Sequence, residues 1–109
     1  RDRHPSAVEA LLGALGAALA TGYATECSRR GIEMDDVEVT VKGTLVNILA
    51  HLGMEEGDPS FKSIEARCFA TTLDDEGRAR EAWEAAVARS PLAATLAKAV
   101  ALKTTFTVA

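Results

Sequence analysis

Two cysteines, Cys27 and Cys68, and two histidines, His4 and His51, are the most reactive side chains of this 109-residue sequence. Glu9, Tyr23 and Ser90 are the other candidates for acid, base or donor roles. A thiolate could attack a peroxide, and a second thiol could then resolve the sulfenic acid. The spacing does not build such a pair: there is no CxxC, and the cysteines are far apart in sequence. With no secretory segment either, this usage reads as a reduced, cytoplasmic chain without a disulfide framework. No Cys or Glu stands at ligand spacing from either histidine, so neither a metal site nor another cofactor is expected.

The elements that position these residues must come from one modest core, which the chain length limits to a single domain over residues 1–109. Aromatic residues are only 5% of the chain, so its apolar mass is Ala, Val and Leu, which suits tight helix packing. A net charge of −4 repels phosphate backbones, so nucleic acid is not an expected partner. The apolar stretch "EALLGALGAALATGYAT" is the obvious membrane candidate. Its uncharged run, Ala10 to Thr25, falls short of the roughly 20 residues a spanning helix needs, and no one-sided basic cluster flanks it. The spacing predicts a buried helix of a soluble protein, not a membrane segment.

Ser6 and Glu9 form a capping-box pattern at the start of that helix, and Gly31 is a natural stop after Arg29 and Arg30. Gly13, Ala17, Ala20 and Ala24 recur at spacings of four, three and four, a stripe without bulk. A second helix is expected against it, either from this chain or from a partner subunit. "DDVEVTVKGTL" alternates as a strand with one wet face. "VNILAHLGMEEGDPS" reads as a short helical or irregular connection. In "FKSIEARCFATTL", Ile64, Ala66, Cys68 and Ala70 share one face, which places the Cys68 thiol inward. Ala79, Ala82, Trp83, Ala86 and Val87 mark a helix to about Arg89. Ser90 then caps a second short helix whose first turn accepts Pro91, and "LKTTFTV" closes the chain as a strand. The expected fold class is α+β, a long helix and further helices on one side of an antiparallel sheet.

The succession "PSAVEALLGALGAALATGYATECSRRGIEMDDVEVTVKG", "LGMEEGDPSFKSIEARC" and "ARSPLAATL" resembles the OsmC/Ohr family over nearly the whole chain. These are the osmotically inducible protein C and organic hydroperoxide resistance proteins. The resemblance implies an intertwined homodimer with paired central helices, and an N-terminal β segment whose counterpart this sequence lacks. Active members are thiol peroxidases of the oxidative stress response. Their peroxidatic Cys sits in a motif like "ALGACLA", and a resolving Cys in "CP". An Arg from the N-terminal strands and a Glu near the start of the central helix activate the thiolate. Aligning the motifs puts Ala18 at the peroxidatic position, Ser90 at the resolving position and Glu9 near the family's glutamate. The family's Arg belongs to the segment that this sequence lacks.

Peroxide reduction needs a sulfur that can be held as a sulfenic acid, and neither a methyl group nor a hydroxyl supplies one. Cys27 lies nine residues beyond Ala18, roughly 900° around the helix and half a turn out of phase, so it points to the opposite face. Ser90 is explained by a cap, Glu9 by a capping box, Tyr23 and Trp83 by core packing, and His51 by a packed or surface position. Three readings follow. In the first, the protein has no thiol-peroxidase chemistry and binds a small apolar ligand in a pocket at the dimer interface, lined by Glu9, Ala18, Tyr23 and Ser90. In the second, it is a non-redox enzyme using Glu9, His51 and Ser90. In the third, it is an organic hydroperoxide reductase whose two cysteines have been substituted.

Overall fold

The computed structural model describes residues 6–109, so His4 lies outside the described residues. Helix α1 (Ala7–Arg29) begins with the expected capping box. Ser6 Oγ accepts from Glu9 N at 3.1 Å, and Glu9 Oε1 accepts from Ser6 N at 2.9 Å. It ends in a Schellman motif: Gly31 turns to φ +67, a conformation that favours glycine, and Ile32 N donates to Cys27 O at 2.9 Å. The Arg78 guanidinium also donates to the Arg30 carbonyl, closing that helix end.

Strand β1 (Asp36–Leu45) and the short helix α2 (Ile48–His51) follow, then strand β2 (Phe61–Thr71). Helices α3 (Glu76–Arg89) and α4 (Pro91–Ala97) lead to strand β3 (Ala101–Val108). The sheet order is β1-β2-β3. β1 pairs antiparallel with β2, with Val39 opposite Cys68, whereas β2 pairs parallel with β3, with Cys68 opposite Phe106. The sheet is therefore mixed and not antiparallel throughout. The reason is the connection: α3 and α4 carry the chain back along the sheet before β3 begins, and such a crossover joins parallel neighbours.

Period-two burial holds in both long strands. Ile64, Ala66, Cys68 and Ala70 are buried on the helix-facing side, while Lys62, Arg67 and Phe69 are exposed. Across them lies the row Leu15, Leu19, Tyr23 and Cys27 of α1, each one turn above the last. Each buried leucine of that row contributes about 1.5–3 kcal/mol relative to exposure. Tyr23 packs edge to face on Trp83 at 5.8 Å and on Phe106 at 5.7 Å, and Trp83 stacks on Phe106. At 23 residues the whole of α1 is long enough for a bilayer, although its uncharged run is not. In this structure the row buries itself against the chain's own sheet.

The small-residue stripe behaves differently from expectation within this chain. Gly13, Ala17 and Ala24 are exposed and Ala20 is half-buried, on a flank of α1 beside the Leu15–Cys27 row. The close approach of α3 occurs instead at Gly22, where an added Cβ would lie 3.7 Å from Ala86 Cβ.

Candidate functional site

The junction between α3 and α4 is built by one residue. Ser90 ends α3 in an extended conformation and at once caps α4, its Oγ accepting from Ala93 N at 3.2 Å. Pro91 supplies the pre-set φ of the first helical turn. This elbow faces the middle and last turns of α1 across a cleft of about 520 Å³. Ala17, Ala18, Gly22, Ala86 and Pro91 give it largely apolar walls, and Thr21, Thr25 and Ser90 contribute hydroxyls.

Ala18 and Ser90 thus line the same cleft, although they are far apart in sequence. The remaining sequence candidates lie elsewhere. Tyr23 is fully buried in the core, donating its hydroxyl to Ala79 O at 3.0 Å, and does not line the cleft. Glu9, bound into its capping box, lines a different hollow with Leu12, Val39 and Val41. His51 is exposed on α2. The structure therefore does not bring Glu9, His51 and Ser90 into one arrangement. It also separates Glu9 and Tyr23 from the wall on which Ala18 and Ser90 stand.

Both cysteines are buried and free, and neither lines the cleft. Cys27 points into the core beside Tyr23, as the half-turn phase difference from Ala18 requires. Burial raises its thiol above the ordinary range despite the lowering influence of Tyr23 and Arg30. Cys68 lies on the covered face of β2, and burial pushes its thiol up to about 12. Among the described residues, no three His, Cys, Asp or Glu side chains cluster closely enough to hold a metal ion.

One end of the cleft is charged, and sequence reasoning missed it. Glu26, only 4% exposed, accepts from Arg89 Nη1 at 2.7 Å. It also meets Arg29 Nη1 and Arg30 Nε, each at 3.5 Å. Burial alone would raise the Glu26 carboxyl. The hydrogen bond and charge of Arg89, with Arg29 and Arg30, outweigh that and hold it below the usual carboxylate range. A signal was present: Glu26 is a lone charge on the buried side of an apolar helix, which demands a partner. Its strongest partner stands 63 positions away, beyond what periodicity can identify.

A mid-helix cleft roofed by a Ser-Pro elbow, over a mixed sheet, defines an α+β scaffold of the OsmC type. The chain belongs to that family: the family model described as OsmC-like protein matches residues 1–105. No curated protein matches the chain. Among solved structures, an OsmC-like protein from Mycoplasma pneumoniae superposes with a TM-score of 0.79 at 17% identity, covering 99% of this chain and 77% of that one. An organic hydroperoxide resistance protein OsmC from Legionella pneumophila gives 0.76 at 14% identity, over 98% and 72% of the two chains. The organic hydroperoxide resistance protein OhrB of Bacillus subtilis gives 0.68 at 20% identity, over 96% and 72%. These likenesses show the fold, and the chain spans about three quarters of each neighbour's length.

Proposed function

We propose that this OsmC-like chain has no thiol-peroxidase chemistry and binds a small apolar ligand in the cleft beside Ala18 and Ser90, as a homodimer in a bacterial cytoplasm. The observation that carries the reading is the contrast between cleft and thiols. Ala18 and Ser90 stand on one wall system, at the positions where the resemblance puts sulfur, and both existing sulfurs are buried in the core. A methyl group at Ala18 leaves space without reactivity, and apolar walls favour apolar surface through the hydrophobic effect. The exposed Gly13 and Ala24 of the stripe, which do not line the cleft, support the dimer, because small residues let a second helix approach closely. Non-redox catalysis by Glu9, His51 and Ser90 has no comparable support, since the three do not share a site.

The test combines turnover with binding. With a thiol reductant, the protein is expected to leave cumene hydroperoxide and tert-butyl hydroperoxide unreduced, and Cys27→Ser is expected to change nothing. It is expected to bind 1-octanol, and Ala18→Trp, which puts an indole in the middle of the cleft, is expected to abolish that binding. Robust peroxide turnover that disappears in Cys27→Ser overturns the reading, as does octanol binding that Ala18→Trp leaves intact.

A further inference from the structure

The charged end of the cleft says what kind of ligand it selects. Of the residues lining the cleft, Arg29 and Arg89 are the cations and Glu26 is the sole carboxylate. Glu26 is further neutralised by Arg30, which approaches it from outside the cleft lining. Three guanidiniums around one carboxylate leave a local positive excess on a chain whose net charge is −4. Arg29 and Arg89 each commit one nitrogen, Nη1, to the same oxygen, Glu26 Oε2. A guanidinium carries five N–H donors in a rigid fork, so Nη2 and Nε of both side chains remain for a further acceptor. Both residues line the cleft with side chains 63% and 62% exposed, so those donors are accessible to a ligand there. Glu26, at 4% exposure, lies deeper than either guanidinium it binds.

We infer that the cleft selects a small amphipathic anion, an apolar tail lying along Ala17, Ala18, Ala86 and Pro91 with a carboxylate head held by Arg29 and Arg89. This rests on the cleft-binding reading above and narrows it from an apolar ligand to an acidic one. A planar carboxylate matches the guanidinium fork, and charge-assisted hydrogen bonds are stronger than neutral ones. An alcohol of equal chain length gains the wall contacts alone. An alkylammonium gains them against repulsion.

The experiment is calorimetric titration of the folded protein with octanoate, 1-octanol and octylammonium, which share a tail and differ in the head. Octanoate is expected to bind about ten-fold tighter than octanol, with octylammonium weakest. Arg29→Gln, which leaves the 2.7 Å bond between Arg89 and Glu26 in place, is expected to remove that advantage and to leave octanol unchanged. Glu26→Gln, checked for native circular dichroism, is expected to tighten octanoate, the opposite of what a merely loosened cleft would do. Equal affinities for octanoate and octanol, both lost in Ala18→Trp, overturn the anion selection while the cleft reading stands. Octanoate binding that persists in Ala18→Trp, or no binding by either probe, overturns both.

Discussion

Thiol reactivity is the sharpest consequence of where the two sulfurs lie. The perturbation is exposure of the native protein to 5,5′-dithiobis(2-nitrobenzoate) at pH 8, followed by the same reagent in guanidinium chloride. The thiolate is the reacting species, so the rate follows the ionised fraction and access. An ordinary thiol near pKa 9.0 is about one-tenth ionised at pH 8, whereas the Cys68 thiol, held at about 12, is ionised to about one part in 10⁴. Charge alone therefore slows Cys68 by about 1,000-fold, before its 1% exposure is counted. Cys27 is shifted the same way and is also buried. Reaction must then await local opening of the core, so labelling is expected to track unfolding. The expected result is no rapid labelling in the native state and two thiols per chain in denaturant. An Ala18→Cys variant is expected to add one promptly reacting thiol, because that position lines the cleft. One of the two native thiols reacting at the rate of free cysteine would refute the placement of sulfur on which the functional reading stands. The same shift acts on stability. A thiol kept neutral in the fold binds more protons than in the unfolded chain, so stability is expected to fall as pH rises from about 9 towards 12, and Cys68→Ala to reduce that fall.

The ion cluster and the core make separate predictions. Glu26 is held below its ordinary carboxylate range, so its contribution is present above about pH 4.5 and lost as pH falls through its native value. Glu26→Gln is expected to flatten that acid limb in urea titrations, and an unchanged acid limb would contradict the ion-pair assignment. Tyr23→Phe removes the hydroxyl bond to Ala79 O and is expected to cost about 0.5–1.5 kcal/mol in urea unfolding with the cleft ligand still bound; loss of ligand binding would instead place Tyr23 at the site. Sedimentation at micromolar concentration is expected to show a dimer and Ala24→Glu, on the exposed stripe, a monomer; a stable wild-type monomer would count against the helix pairing.

Local regularities are legible in the sequence. The alternation through Ile64, Ala66, Cys68 and Ala70 assigned Cys68 to the covered face because a strand has only two faces. The caps at Ser6 and Ser90 were legible because each satisfies a backbone N–H three residues ahead, inside the window that a sequence pattern spans. The half-turn between Ala18 and Cys27 follows from helical pitch alone.

The sequence by itself thus determined the elements, their wet and dry faces, and the absence of sulfur at the mid-helix position, since each depends on neighbours a few residues away. Tertiary structure alone decided that β3 runs parallel to β2, that Ala18 and Ser90 share a cleft without Glu9 or Tyr23, and that Glu26 meets Arg89. Those facts depend on where a long crossover sets its elements down, and the forces that choose the landing place are burial and ion pairing between residues remote in the chain. Periodicity records which side of an element is dry, and it carries no information about which dry side it will meet.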